Sequence, residues 1–319
     1  MNYLILGGSG FIGTHMARRL ATEGHNVLRV DLKPSEYKVP NTSFVLGDLR
    51  NKSVVNDMFY YFEPDFVYQF AADMGGAGFV FTGENDANIM HNSAQINLNV
   101  LDVMSTLKKK PRIFYSSSAC MYPEHNQLDA DNPNCEESSA YPANPDSEYG
   151  WEKLFSERLF FAYAKNYDID VRVARYHNIY GPMGTWTGGR EKSPAAICRK
   201  VIQADSSIEI WGDGNQTRSF LYIDDCIDAT RALMNSDFRG PVNIGSEEMV
   251  SINDLVDITT SFENKSLEKI HIDGPTGVRG RNSHNALIKQ KLGWEPKISL
   301  NEGMKRTYFW IKEQIERKK

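Results

Sequence analysis

The sequence is short of cysteine, and the four it has lack metal-binding spacing. Cys120, Cys135, Cys198 and Cys226 form no C-x-x-C or C-x-H pair, so a structural zinc site is not expected and no metal is assigned. No apolar run approaches the length of a membrane span. Positive charge is not in excess: 36 Lys and Arg stand against 41 Asp and Glu, a net charge of −5. That argues against a broad nucleic-acid surface. Internal repeats, low-complexity tracts and a linker are lacking. The first strand pattern begins at residue 2, which leaves no room for a signal or transit peptide. These absences lead us to expect a cytoplasmic protein with free thiols and no nucleic-acid or membrane partner. What remains is a chain of 319 residues, 41% hydrophobic and 24% charged, enough to bury one large core or two ordinary ones.

The first half alternates strand and helix patterns. YLILG (3–7), NVLRVD (26–31), SFVLGD (43–48), DFVYQFA (65–71), RIFYSSS (112–118) and DIDVRVARY (168–176) read as strands. Helical spacing runs from Phe11 through Met16 and Leu20 to a stop at Gly24, and again over 86–109 and 148–166. Such alternation implies an α/β fold, a doubly wound parallel sheet of Rossmann type with helices on both faces. After residue 177 the pattern loosens. Residues 181–194 are a Gly- and Pro-rich loop, and 208–225 read as short strands around a turn. Ser251 with Asp254 resembles a capping box, and 300–317 is an amphipathic helix. We expect a nucleotide-binding domain of 1–176 and 217–245, interleaved with a smaller α/β substrate-binding domain of 177–216 and 246–319.

GGSGFIG (7–13) places Gly7, Gly10 and Gly13 at three-residue spacing between a strand and a helix. Glycine permits the tight turn and a close backbone approach to a pyrophosphate, which the helix N-terminus then attracts. The string alone is an ordinary βα turn. Its context, with Asp31 ending the next strand, favours NAD, because a carboxylate accepts from ribose hydroxyls and repels a 2′-phosphate. Asp48, ending the third strand, either reaches the adenine or is a solvated turn aspartate. EYGWEK sets Tyr149 and Lys153 on one helix face. An ammonium and a nicotinamide ring both favour a phenolate, which then accepts a proton from a sugar hydroxyl. Ser117 or Ser118, ending the fifth strand, can hydrogen-bond the same hydroxyl.

This combination resembles the extended short-chain dehydrogenase/reductase superfamily of nucleotide-sugar epimerases and dehydratases, nearly end to end. Dehydratases carry an Asp-Glu pair after the serine strand. Here Ala119 and Cys120 stand there, so dehydration is not expected. SSACMYPE, AADMGGAGF, RYHNIYGPMGTW, GGREKSPAAICRK, WGDGNQTRSF and GVRGRNS are similar to the GDP-mannose 3,5-epimerase family. The resemblance implies transient oxidation at C4 by NAD, exchange of the C3 and C5 protons, and re-reduction to GDP-L-galactose or GDP-L-gulose.

It further implies catalytic roles for Ser118, Tyr149, Lys153, Cys120 and Lys192, with Arg190 as a cation lowering the Lys192 amine. The cofactor would meet Gly7, Gly10, Phe11, Ile12, Gly13, Asp31, Asp48, Ala71 and Ala72. The substrate would meet Gly78, Ala119, Asn178, Glu191, Ser193, Lys200, Gln216, Thr217, Arg218 and Arg281, the arginines and Lys200 on the diphosphate. His177 reads as a packed histidine, and Cys135, Cys198 and Cys226 as structural thiols. The same resemblance implies a homodimer in which the 86–109 and 148–166 helices pair as a four-helix bundle. Plant members carry extra residues at both ends, part of which reaches the site, whereas this chain stops at Lys319. Substrate range is therefore left open, a GDP-heptose included. A C4 dehydrogenase, a single-site epimerase and a non-catalytic nucleotide-binding module are the competing readings.

Overall fold

The computed structural model describes residues 1–318. Seven parallel strands form the central sheet, in the order Val242–Ile244, Val171–Tyr176, Arg112–Ser118, Phe66–Gln69, Asn2–Leu6, Asn26–Asp31, Ser43–Leu46. Alternation along each strand feeds two cores. Tyr3 and Ile5 join Met16, Leu20 and Ile227 on one face. Leu4 and Leu6 join Val55, Phe59, Leu101, Met104 and Phe160 on the other. The chain starts at the middle of the sheet, winds outward to Ser43–Leu46, then returns to Phe66–Gln69 on the far side. The carboxyl ends of Asn2–Leu6 and Phe66–Gln69 therefore part company, and the loops leaving them open a crevice.

Helix boundaries follow local chemistry. Gly24 takes a φ of 79° just past helix Phe11–Thr22. Helix Asp86–Thr106 ends at an extended Leu107, three residues short of the expected end. Ser147 caps helix Glu148–Tyr167, accepting from the Gly150 N–H at 3.3 Å. Ser251 caps helix Ile252–Ser261 through the Asp254 N–H at 3.0 Å, as the capping box predicts.

The second half differs from expectation in 208–225. Its strands do not pair with one another. Ser207–Trp211 pairs with Glu268–Ile272, and Thr217–Ser219 lies between Met249–Ser251 and Gly280–Arg281. Residues 223–225 open helix Ile223–Asn235, where Asp224 and Asp225 suit the positive end of the dipole. Strand Thr217–Ser219 thus sits with the smaller sheets, while Val242–Ile244 completes the large one. Helices Ser193–Gln203, Ile252–Ser261 and Leu300–Arg317 pack against one another around these strands, and Met304, Tyr308 and Ile311 are buried on the last.

Candidate active site

Gly7 leaves the first strand with a φ of 80°. A Cβ on Gly7 would lie 2.7 Å from the Ala71 nitrogen, and one on Gly13 would lie 2.2 Å from the Gly7 oxygen. Only bare backbone fits at these two points. Gly10 caps helix Phe11–Thr22 without a side-chain hydrogen bond, so the first-turn N–H groups are free for an anion. Asp31 accepts from the Ser9 N–H at 3.0 Å and the Leu32 N–H at 2.7 Å, which aims its remaining lone pairs at the crevice. Asp48 is not a free turn aspartate. Arg50 forks it at 2.7 and 3.0 Å, and those hydrogen bonds hold the carboxyl below its usual range.

The crevice is a cavity of about 650 Å³. Every residue expected at the cofactor lines it: Gly7, Gly10, Phe11, Ile12, Gly13, Asp31, Asp48, Ala71, Ala72, Tyr149 and Lys153. So do Ser117, Ser118, Arg190 and Lys192. The glycine cradle, the uncapped helix end and the Asp31 carboxylate fit an NAD-type dinucleotide.

At its inner end Lys153 is buried and donates to the Ser116 carbonyl at 2.9 Å, with its amine 5.7 Å from the centre of the Tyr149 ring. Burial lowers the Lys153 amine, against the pull of Glu152 and Cys120. Burial also raises the Tyr149 phenol, helped by the charge of a Cys120 thiolate and opposed by the Ser118 hydroxyl. Ser118 accepts from the Cys120 N–H at 3.2 Å, which leaves its own O–H free to donate. Ser117 keeps a buried hydroxyl with no partner among the described residues.

Cys120 does not line the cavity. It packs just behind, on the apolar cluster of Phe79, Val80, Ile89 and Tyr149. Arg281 donates to its sulfur at 3.0 Å. The same guanidinium donates to Gln127 at 2.5 Å and to Asp146 at 3.0 Å. Arg281 is therefore turned to the thiol, where a diphosphate contact was expected. Lys192 is half-buried, and burial lowers its amine against the pull of Cys120 and Cys226, with Arg281 adding to the fall. Arg190 is not the responsible cation. It stacks on Phe79 at 3.8 Å and pairs with Asp73 at 3.4 Å. Gly76 anchors the Lys192 loop: its N–H donates to the Arg190 carbonyl at 3.0 Å, and a Cβ there would lie 2.2 Å from the Glu191 oxygen.

The other expected substrate residues also lie outside the cavity lining. Glu191 is engaged by Arg199 at 3.0 Å and by the Gly189 N–H at 2.7 Å, so it shapes its own loop. Ser193 opens helix Ser193–Gln203. Asn178, at a φ of 41°, donates to the Ser219 carbonyl at 3.0 Å. Ala119 is buried in the turn before Cys120. Thr217 bonds the Ala130 carbonyl. Gly78, Lys200 and Gln216 gather around Trp211. A Cβ on Gly78 would be 3.4 Å from its ring, the Lys200 amine is 6.0 Å from it, and Gln216 donates to its carbonyl at 3.0 Å. Trp211 is 40% exposed, and we did not single it out from the sequence, although WGDG marks it. Among the described residues Arg218 hydrogen-bonds only the Thr217 and Thr276 carbonyls, at 2.7 and 3.0 Å. Burial and the facing Arg281 push it down to about 10, the state of a cation short of an anion. Gln127 and Asp146 were likewise missed, since neither belongs to a motif. His177 is buried and donates to no substrate-facing group.

Known proteins share this architecture. The model of the NAD dependent epimerase/dehydratase family matches residues 3–245. The GDP-mannose 3,5-epimerase of Arabidopsis thaliana is 50% identical over 319 residues, covering 99% of this chain and 83% of its own. A UDP-glucose 4-epimerase from Thermotoga maritima, solved with UDP-glucose, superposes with a TM-score of 0.87 at 26% identity, over 99% of this chain and 100% of that one. A UDP-glucuronic acid 4-epimerase from Bacillus cereus, solved with UDP-glucuronic acid and NAD, gives 0.83 at 25% identity, over 98% and 100%. Cradle, sheet order and sequence agree, and the chain belongs to the NAD dependent epimerase/dehydratase family, within its group of GDP-mannose 3,5-epimerases.

Proposed function

We propose that this protein is an NAD-dependent 3,5-epimerase of GDP-mannose, giving GDP-L-galactose or GDP-L-gulose. The observation that carries the reading is the meeting of three groups distant in sequence. The thiol of Cys120 packs against Tyr149, and Tyr149 and Lys192 line the same cavity.

A sugar C–H is too weak an acid for any side chain to ionise directly. A bound NAD, held by the cradle of Gly7, Gly10 and Gly13 and by Asp31, would supply the hydride acceptor and donor for C4. Tyr149 removes the proton of the 4-hydroxyl, with Lys153 stabilising the phenolate and Ser118 donating to the same oxygen. A C4 ketone makes the hydrogens on C3 and C5 acidic. Cys120 and Lys192, on opposite faces of the ring, then remove one proton and supply another. Arg218, short of an anion, suits the diphosphate, and Trp211 offers a face to the nucleotide base. The division into a nucleotide domain and a smaller substrate domain fits these roles.

A homodimer is also proposed. Leu98, Trp151 and Phe155 are exposed, 38–47%, on the paired helices Asp86–Thr106 and Glu148–Tyr167, as a four-helix bundle between two copies requires. The four free thiols suit a cytoplasmic setting.

Incubation with GDP-mannose in D₂O tests the chemistry. Deuterium at both C3 and C5 is expected. Label at one carbon would mean a single-site epimerase, and none, with NADH accumulating, a dehydrogenase.

A further inference from the structure

Arg281 and Arg218 stand opposite one another in the parallel pair of Gly280–Arg281 with Thr217–Ser219. Two guanidiniums on adjacent strands repel each other, yet Arg281 is only 4% exposed. Something must hold it there. Three acceptors do. Asp146 takes one N–H at 3.0 Å, Gln127 takes a second at 2.5 Å, and the Cys120 sulfur takes a third at 3.0 Å. The Asp146 side chain is 5% exposed, and Gln127 is fully buried. The Gln127 amide is itself fixed, because its nitrogen donates to the carbonyls of Tyr122 and Pro123, both at 3.1 Å. That orientation leaves its oxygen as the acceptor for Arg281.

From this geometry we infer that Asp146 and Gln127 are positioning residues that clamp Arg281 onto Cys120, so that Arg281 serves as the counter-ion of the thiolate. The inference rests on the catalytic reading of Cys120 given above, and it assigns to Arg281 a task other than binding the diphosphate. A thiolate accepts a charge-assisted hydrogen bond better than a thiol does, and the Arg281 N–H stands 3.0 Å from the sulfur. Asp146 acts in two opposed ways. It holds the guanidinium in place, and its own negative charge competes with the thiolate for that guanidinium.

Other groups facing the sulfur are accounted for. Lys153, Lys192 and Arg218 are cations within electrostatic reach, and Tyr149 and Cys135 are neutral groups whose ionisation the thiolate opposes. Among the described residues none of these hydrogen-bonds the sulfur, whereas Arg281 does. The other three cysteines are buried, so alkylation at Cys120 can be followed separately by peptide mass spectrometry.

The test is the rate of Cys120 alkylation by iodoacetamide against pH, measured on the NAD-bound protein without substrate. Arg281→Met should slow alkylation near neutral pH by about tenfold or more, the effect of removing an opposite charge at contact distance. Arg281→Lys should recover part of that rate. Asp146→Asn keeps an acceptor for Arg281 and removes the competing charge. It should speed alkylation below neutral pH, by about threefold to tenfold. Opposite signs for Arg281→Met and Asp146→Asn are the signature of the clamp, which general loosening of the fold would not produce. An unchanged pH profile in Asp146→Asn, or the same direction of change in both variants, overturns it. Because no turnover is read, these outcomes are independent of whether deuterium enters C3 and C5.

Discussion

Lowering the pH should destabilise this fold through one buried imidazole, and the size of the effect can be worked out. His177 is fully buried beside Arg175 and Arg281. Its Nε2 lies 3.0 Å from the Asn243 Oδ1, and the orientation of that amide is fixed because its nitrogen donates to the carbonyls of Cys135 at 2.8 Å and His284 at 3.3 Å. Asn243 Oδ1 is therefore an acceptor, so Nε2 carries the hydrogen. Nδ1 is left buried with no partner among the described residues, so a proton added there finds no acceptor among them. Burial, with Arg281 and Arg175 adding to it, lowers the imidazole from 6.5 to about 3 despite the Asn243 hydrogen bond.

A depressed folded value means that the unfolded chain binds the proton first. The stability tied to His177 is present above about pH 6.5 and is lost progressively as pH falls towards the folded value. Between about pH 7.5 and about pH 5 the loss is about 2 kcal/mol. Urea unfolding, followed by tryptophan fluorescence at fixed protein concentration, measures it at both pH values. In His177→Gln, whose amide can still donate to Asn243, the fall should be smaller by about that amount. Equal pH dependence in the two proteins would refute the reasoning.

Two further outcomes follow from packing. Gly13→Ala places a methyl 2.2 Å from the Gly7 carbonyl, so the loop must shift, and NAD affinity by calorimetry on the stripped protein should fall at least about tenfold; unchanged affinity contradicts the assigned cradle. Glu157 pairs with Arg175 at 2.7 and 3.1 Å, with both side chains at most 4% exposed; Glu157→Leu leaves a buried cation without its carboxylate, held only by the Tyr122 hydroxyl and the Glu137 carbonyl among the described residues, and should cost about 3–5 kcal/mol in urea unfolding, and a loss within experimental error would show that the pair is dispensable.

The nucleotide half was legible because its signals are local. Gly7, Gly10 and Gly13 are spaced within one turn, and Tyr149 and Lys153 lie on one helix face, so their spacing alone brings each set together. The strand periods of the first half gave the sheet for the same reason. The thiol's surroundings were not legible. Arg281 reaches Cys120 across 161 residues, and only the register of Gly280–Arg281 beside Thr217–Ser219 brings it there. An arginine in GVRGRNS looks from sequence like any phosphate ligand. Arg190 beside Lys192 in sequence suggested a charge effect, but its guanidinium turns away to Phe79 and Asp73. Asp146 sits in a polar turn, where a carboxylate ordinarily meets water, and its burial depends on what packs over it.

The central claim is that oxidation at C4 belongs to Tyr149 and Lys153 with NAD, while proton exchange belongs to Cys120 and Lys192. The variant Cys120→Ala combined with Lys192→Met, mixed with GDP-mannose in D₂O, separates the two. NADH absorbance should rise while no deuterium enters C3 or C5. Deuterium at either carbon in that variant, at the rate of the unaltered protein, would contradict the account.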